Sequence, residues 1–179
     1  MGYRVATWAA AALLAAGTLS GCGISEQIST SRAYNYATVT HTSQHLGATK
    51  SFNENNPGFG IGSEAPIRRS PYVVGLEAGR YRNSLDDYSS YAAGYVERKF
   101  APRRGPKDIG LGLFLAYAEY PSEVQRAKDK GYLTIGDLVP VVGLQATVAT
   151  VGPHSLRMRL TPGLSHADAV LTVQSNFRF

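Results

Sequence analysis

What most constrains this chain is a two-residue alternation that returns in segment after segment. In "YVVGLEAGRYRN", Tyr72, Val74, Leu76 and Ala78 point one way, while Val73, Gly75, Glu77, Gly79, Tyr81 and Asn83 point the other. In "IGLGLFLAYAEY", Ile109, Leu111, Leu113, Leu115 and Tyr117 share a face, opposed by Gly110, Gly112, Phe114, Ala116 and Ala118. The last segment sets Leu171, Val173, Ser175, Phe177 and Phe179 against Thr172, Gln174, Asn176 and Arg178. A period of two is a strand's period, not a helix's. Here one face is continuously apolar and the other mixes glycine with polar residues, which is the pattern of strands with lipid outside and a small filled lumen inside.

The segments number about eight, over 34–46, 57–65, 70–83, 88–99, 108–120, 137–150, 154–161 and 168–179, most of them long enough to cross a tilted bilayer at ~9–11 residues each. The expected fold is therefore all-β, an eight-stranded antiparallel transmembrane β-barrel over 34–179, in one domain and as a monomer. Pro71 and Pro140 fall near strand ends, where a missing ladder donor is tolerated. With the N-terminus on the periplasmic side, the external loops are expected at about 47–56, 84–87, 121–136 and 162–167. No later segment is apolar for long enough to be a membrane helix.

The N-terminus reads as an export signal. Arg4 is the only charge in the first twenty-one residues, and "VATWAAAALLAAGTL" is apolar but too short for a stable span. The junction "LSGC" resembles the bacterial lipobox, so residues 1–21 are expected to be removed, leaving a lipid-anchored Cys22 and a periplasmic segment over 22–33. Cys22 is the only cysteine, so no internal disulfide is available. Without Arg4 the chain carries 17 basic and 13 acidic residues. The basic residues sit in short separated groups (Arg68-Arg69, Arg98-Lys99, Arg103-Arg104, Arg126 to Lys130) between apolar segments. That distribution suits loop ends at a charged membrane surface and gives no nucleic-acid-binding stripe.

The stretch "QHLGATKSFNENNPGFGIG" carries the candidate chemistry. His45 precedes an Asn-rich turn, after which Gly58, Gly60 and Gly62 fall on one strand face and Phe59 and Ile61 on the other. Strand parity brings His45 to the same outer rim as Asn83 and Ser84. A histidine near a serine at a water–membrane boundary has the parts for acyl transfer: a base for a hydroxyl proton, and a hydroxyl. Rim His, Asn and Ser residues are equally consistent with plain solvated loops. His41 shares the face of His45 but lies four residues away, ~13 Å, too far to clasp one metal. Nothing supplies carboxylate or cysteine ligands at zinc spacing, and no metal or soluble cofactor is expected. There is no GxSxG elbow, and GFGIG is not a phosphate-binding glycine loop.

The order of these pieces resembles the PagP-type lipid A palmitoyltransferases, particularly a divergent branch, from about His41 to Phe179. It is carried by "SQHLGATKSFNENNPGFGIG", "GRYRNSLDDYSSYAAGY", "IGLGLFLAYAEY", "LVPVVGLQATV", "RLTPG" and the terminal "SNFRF". The resemblance implies an outer-membrane enzyme that takes a palmitoyl-like chain from a glycerophospholipid donor and moves it to lipid A. The family's His-Asp-Ser set falls on His45, Asn83 and Ser84, with Asn in place of Asp. It further implies that Gly58, Gly60, Gly62, Gly75, Gly79, Gly110 and Gly112 line an acyl-chain slot, although glycine also lets a tight barrel curve. Val96 would form the slot's floor and shorten the accepted chain. Pro140 and Pro162 become candidate lateral gates, and Arg126, Lys128 and Lys130 candidate lipid A contacts.

Two other classes fit the alternation. One is a non-catalytic outer-membrane barrel with a structural or blocking role. The other is a lipid-anchored lipocalin-like barrel, whose lumen would be apolar and whose exterior polar.

Overall fold

The structure is a computed structural model and describes residues 33–100, 109–149, 152–163 and 167–179. Eight strands, β1 (Tyr34–Leu46), β2 (Asn55–Pro66), β3 (Tyr72–Arg82), β4 (Tyr88–Phe100), β5 (Ile109–Glu119), β6 (Leu138–Ala149), β7 (His154–Pro162) and β8 (Ala169–Arg178), pair in sequence order. β8 closes on β1, giving an antiparallel barrel without a free edge. Both ends of the barrel segment lie at one mouth, here called the inner one; the opposite, outer mouth carries the longest connection, β5–β6. The export signal expected over 1–21, Cys22 and nearly all of the expected periplasmic segment lie outside the described residues.

Polarity is inverted relative to a water-soluble fold. Phe59 and Ile61 of β2, Leu111, Leu113 and Leu115 of β5, and Val142 and Leu144 of β6 are all exposed on the outer surface. Inside lie Glu64, Glu77, Glu97, Arg157, Arg159 and Gln145, all buried. An apolar belt of this kind is stable only against hydrocarbon, and the charged lumen excludes the lipocalin-like alternative. The fold defines the class: an outer-membrane-type β-barrel, which places the chain in a bacterial outer membrane.

The inner half of the lumen is a polar plug. Glu77 accepts hydrogen bonds from Arg157 Nη1 (2.6 Å), Arg159 Nη1 (2.9 Å), Tyr91 Oη (2.7 Å) and Tyr36 Oη (3.0 Å). Glu97 accepts from Gln145 (2.7 Å), Thr147 (2.5 Å) and Lys99 (2.6 Å). Glu64 takes bonds from Tyr34 and from Tyr95 Oη (3.0 Å), with Lys99 Nζ at 3.3 Å. Arg157 also lies over the rings of Tyr36 and Tyr95, 5.1 and 4.5 Å from their centroids. Three carboxylates thus meet three cations, and each buried charge has hydrogen-bond partners, the condition under which ions are tolerated away from water.

Two expectations fail here. The proposed slot glycines do face inward, but tyrosines occupy the space they leave: a Cβ at Gly62 would overlap the Tyr36 ring, and one at Gly75 the Tyr95 ring. Gly60 and Gly79 border Tyr91, Gly58 meets Tyr81, Gly110 meets the Glu97 carboxylate, and Gly112 the β4 backbone. Each of these rings comes from the neighbouring strand, with Tyr36 paired to Gly62, Tyr81 to Gly58, Tyr95 to Gly75 and Tyr91 to Gly79, so glycine on one strand is what lets its partner's ring lie flat across the lumen wall. Val96 is 38% exposed on the outer face, between inward Tyr95 and Glu97, and cannot form a lumenal floor.

Candidate functional site

The outer half of the lumen holds a cavity of about 200 Å³. Phe114, Ala116 and Ala118 of β5, Val141 of β6 and Val170 of β8 make apolar walls, and Arg159 and Gln174 form its floor above the plug. The Arg159 guanidinium sits 4.9 Å from the Phe114 ring centroid, so the floor's charge is covered by an aromatic face. None of the seven proposed slot glycines, and not Val96, lines this space.

The cavity opens sideways. β6 and β7 pair only from Leu144↔Leu160 to Ala149↔Ser155. Beyond that point β6 remains bonded to β5 as far as Leu138, and β7 to β8 as far as Pro162, so the two strands part toward the outer mouth. Pro140, Val142 and Pro162 stand at this seam and line the cavity. Proline, with no N–H to donate, fits an unpaired strand flank.

His45 and Ser84 both line the cavity, as strand parity suggested. The route by which His45 arrives differs. A register shift between Thr40 and Thr42 lets Tyr36, Thr38 and Thr40 point inward on even numbers and Ser43 and His45 on odd ones. His41 is thereby turned outward, where its Nε2 lies 2.8 Å from Ser175 Oγ. The two histidines are on opposite faces, which corrects the shared face read from an unbroken alternation. The His45 ring stacks on Phe52 (centroids 4.1 Å apart, planes at 11°), and its Nδ1 is buried with no hydrogen-bond partner among the described residues.

Asn83 does not join His45. It is 3% exposed; its Oδ1 accepts from the backbone N–H groups of Leu85 (2.8 Å) and Asp87 (3.0 Å), and its Nδ2 donates to Ser89 Oγ (2.9 Å). It is the organiser of the β3–β4 turn, in which Asp86 adopts φ +67°. The place beside His45 that the resemblance implies for Asn83 is therefore not met, because its side chain is spent on the turn.

The Asn-rich connection acts as a rivet. Asn56, fully buried, accepts from Ser43 N–H (2.9 Å) and donates to the carbonyl oxygens of Arg82 (2.9 Å) and Asn53 (3.2 Å). Asn53 Nδ2 donates to Asp86 (2.6 Å), and Asn53 N–H donates to the Ser84 carbonyl (3.1 Å). Glu54 Oε1 accepts the His45 backbone N–H (3.1 Å). These bonds hold the rim that carries His45 to the rim that carries Ser84.

The β5–β6 connection, expected as an external loop over about 121–136, is partly helical. It contains a 3-10 turn at Pro121–Glu123 and a short helix, α1 (Val124–Asp129). Val124 and Ala127 pack on Val139, with Tyr120 against them, closing part of the outer mouth. Tyr120 Oη lies 2.5 Å from Tyr81 Oη, and burial pushes the Tyr120 phenol above its ordinary pKa. This tyrosine pair went unnoticed in the sequence; the inward parity of Tyr81 was its only signal.

No family model matches the chain, and no curated protein matches it. Several solved structures are similar. A de novo designed transmembrane β-barrel aligns at 14% identity over 82% of this chain and 94% of its own, with a TM-score of 0.49. Ail of Yersinia pestis aligns at 9% identity over 83% and 100%, TM-score 0.44. Neisserial surface protein A aligns at 15% identity over 82% and 97%, TM-score 0.40. The palmitoyltransferase resemblance gains no support from these comparisons.

Proposed function

We propose that this barrel is an outer-membrane acyltransferase that draws a fatty acyl chain of a glycerophospholipid through the β6–β7 seam and passes it to lipid A. The observation that carries the reading is the unpartnered, buried Nδ1 of His45 on the wall of a cavity it shares with the Ser84 side, apolar within and open toward the membrane. In the reaction His45 takes the proton of the attacking hydroxyl, either the acceptor's own or that of Ser84, in which case the acceptor hydroxyl then attacks the acyl-Ser84 ester in a second transfer that frees the Ser84 hydroxyl. The hydroxyl oxygen bonds to the donor's ester carbon, the ester C–O bond to glycerol breaks, and the glycerol oxygen leaves with the proton held on His45. The products are an acylated lipid A and a lysophospholipid. At about 200 Å³ the cavity exceeds the ~150 Å³ hole that admits benzene and falls below the ~300 Å³ of common ligand pockets, which favours a chain shorter than palmitate.

The test is mass spectrometry of lipid A from an outer-membrane-competent host without its own acyltransferase, expressing wild type, His45→Ala or Ser84→Ala. A new acylated species with wild type that disappears with His45→Ala supports the reading. Its absence with folded wild type in the membrane overturns it.

A second reading, a non-catalytic barrel, is favoured by two observations. Asn83 is consumed by its turn, and no hydrogen bond joins His45 to Ser84 among the described residues.

A further inference from the structure

The polar plug is well bonded on the side of β2, β3, β4 and β7, but not on the side where β1 meets β8. Five buried side-chain atoms lack a hydrogen-bond partner among the described residues. Four of them are Thr38 Oγ1, Gln174 Oε1, and Asn176 Oδ1 and Nδ2. All three residues point into the lumen, are at most 3% exposed, and belong to one ladder, in which Thr38 stands opposite Asn176 and Thr40 opposite Gln174. Buried polar atoms are seldom left unbonded, because each costs roughly 1–3 kcal/mol unless water or protein satisfies it.

Their neighbours give the row two ends. Thr40 and Gln174 line the outer cavity. Asn176 lines a second, polar cavity of about 10 Å³ with Tyr36, Lys99 and Arg178, the size of about one water. Arg178 ends β8 at the inner mouth. Between Gln174 and Asn176 the strand advances ~6.6 Å, a span of about two waters at ~2.8 Å per hydrogen bond.

We propose that a file of water runs along the β1–β8 side of the lumen, through Gln174, Thr38 and Asn176, and makes the barrel permeable to water between its outer cavity and its inner mouth. With room for about one water beside Asn176, the path passes water and excludes hydrated ions. The inference is independent of the acyl-transfer reading and survives or fails without it.

Osmotic shrinkage of proteoliposomes, followed by stopped-flow light scattering against protein-free vesicles of the same lipid, tests it. Wild type is expected to shrink several-fold faster than protein-free vesicles. Asn176→Leu, which replaces the amide by an apolar group of similar size, is expected to return the rate to the protein-free value. Thr38→Val keeps the side chain's shape and removes only the hydroxyl, so it carries the test if Asn176→Leu does not fold; it is expected to at least halve the added rate. Heat-modifiable gel mobility reports folding of each variant. Wild type at the protein-free rate overturns the proposal, as does a folded variant of either kind that shrinks as fast as wild type.

Discussion

Arg157 Nη1 lies 2.6 Å from Glu77 Oε2, an ion pair formed across the lumen between β7 and β3 and shielded from solvent on both sides. Removing one partner leaves an uncompensated charge away from water. Arg157→Met is therefore expected to lose about 3–5 kcal/mol. The midpoint of urea unfolding in vesicles, read by gel mobility, checks this; an unchanged midpoint would show that the plug is not held by this pair.

Glycine parity makes a sharper contrast. At Gly75 an added methyl meets the Tyr95 ring, while at Gly94, on the outer face, it meets Leu76 Cδ2 at 3.5 Å and the Gly75 carbonyl oxygen at 4.0 Å, both ordinary contacts. Gly75→Ala is expected to cost about 1–3 kcal/mol, and Gly94→Ala to be neutral within about 0.5 kcal/mol. Equal effects at the two positions, in the same unfolding assay, would contradict a lumen packed by tyrosine against glycine.

Asn83 is assigned to the turn, so its loss should be felt in stability before chemistry. Asn83→Ala forfeits the bonds to Leu85, Asp87 and Ser89 and is expected to cost roughly 1–3 kcal/mol. Asn83→Asp keeps both acceptor bonds and should be milder. Amide hydrogen exchange at Asp87 reads this directly: protection that persists in Asn83→Ala would return Asn83 to the list of groups available to His45.

Filling the outer cavity separates it from the outer surface. Ala118→Phe projects into the lumen and is expected to abolish any new lipid A species, whereas Val96→Gly, on the lipid face, should leave the acyl chain length unchanged. A shift in chain length on Val96→Gly, seen in the lipid A mass spectrum, would show that the outward placement of that side chain is wrong.

Most strand bounds were legible to within two residues because every strand separates lipid from lumen, and that division writes itself into alternate positions. The inward set Val73, Gly75, Glu77, Gly79 and Tyr81 was read correctly for that reason. The register shift at Thr40/Thr42 left no mark in the alternation, since Thr40, His41 and Thr42 suit either face; hence the misplacement of His41. The floor that the resemblance implies at Val96 runs against the parity of its own strand, in which Tyr95 and Glu97 are the inward neighbours. Asn83 could not be separated from a catalytic group, since an amide that caps a turn and one that orients an imidazole have the same letter. The short helix α1 has only Val124 and Ala127 to bury, too few positions to display a helical period.

The arrangement of the plug bears on how the barrel is built. Glu64, Glu77 and Glu97 come from β2, β3 and β4 with Lys99 as their one local cation, and the two guanidiniums come from β7. A sheet grown only through β6 would hold three acids against one base, a surplus of negative charge with nowhere to go in a membrane. Arrival of β7 cancels that surplus, and its next neighbour, β8, is the strand that reaches β1. Neutralisation and circularisation are thus nearly one event, so half-made sheets are electrostatically penalised and the finished cylinder is the first species at ease in lipid.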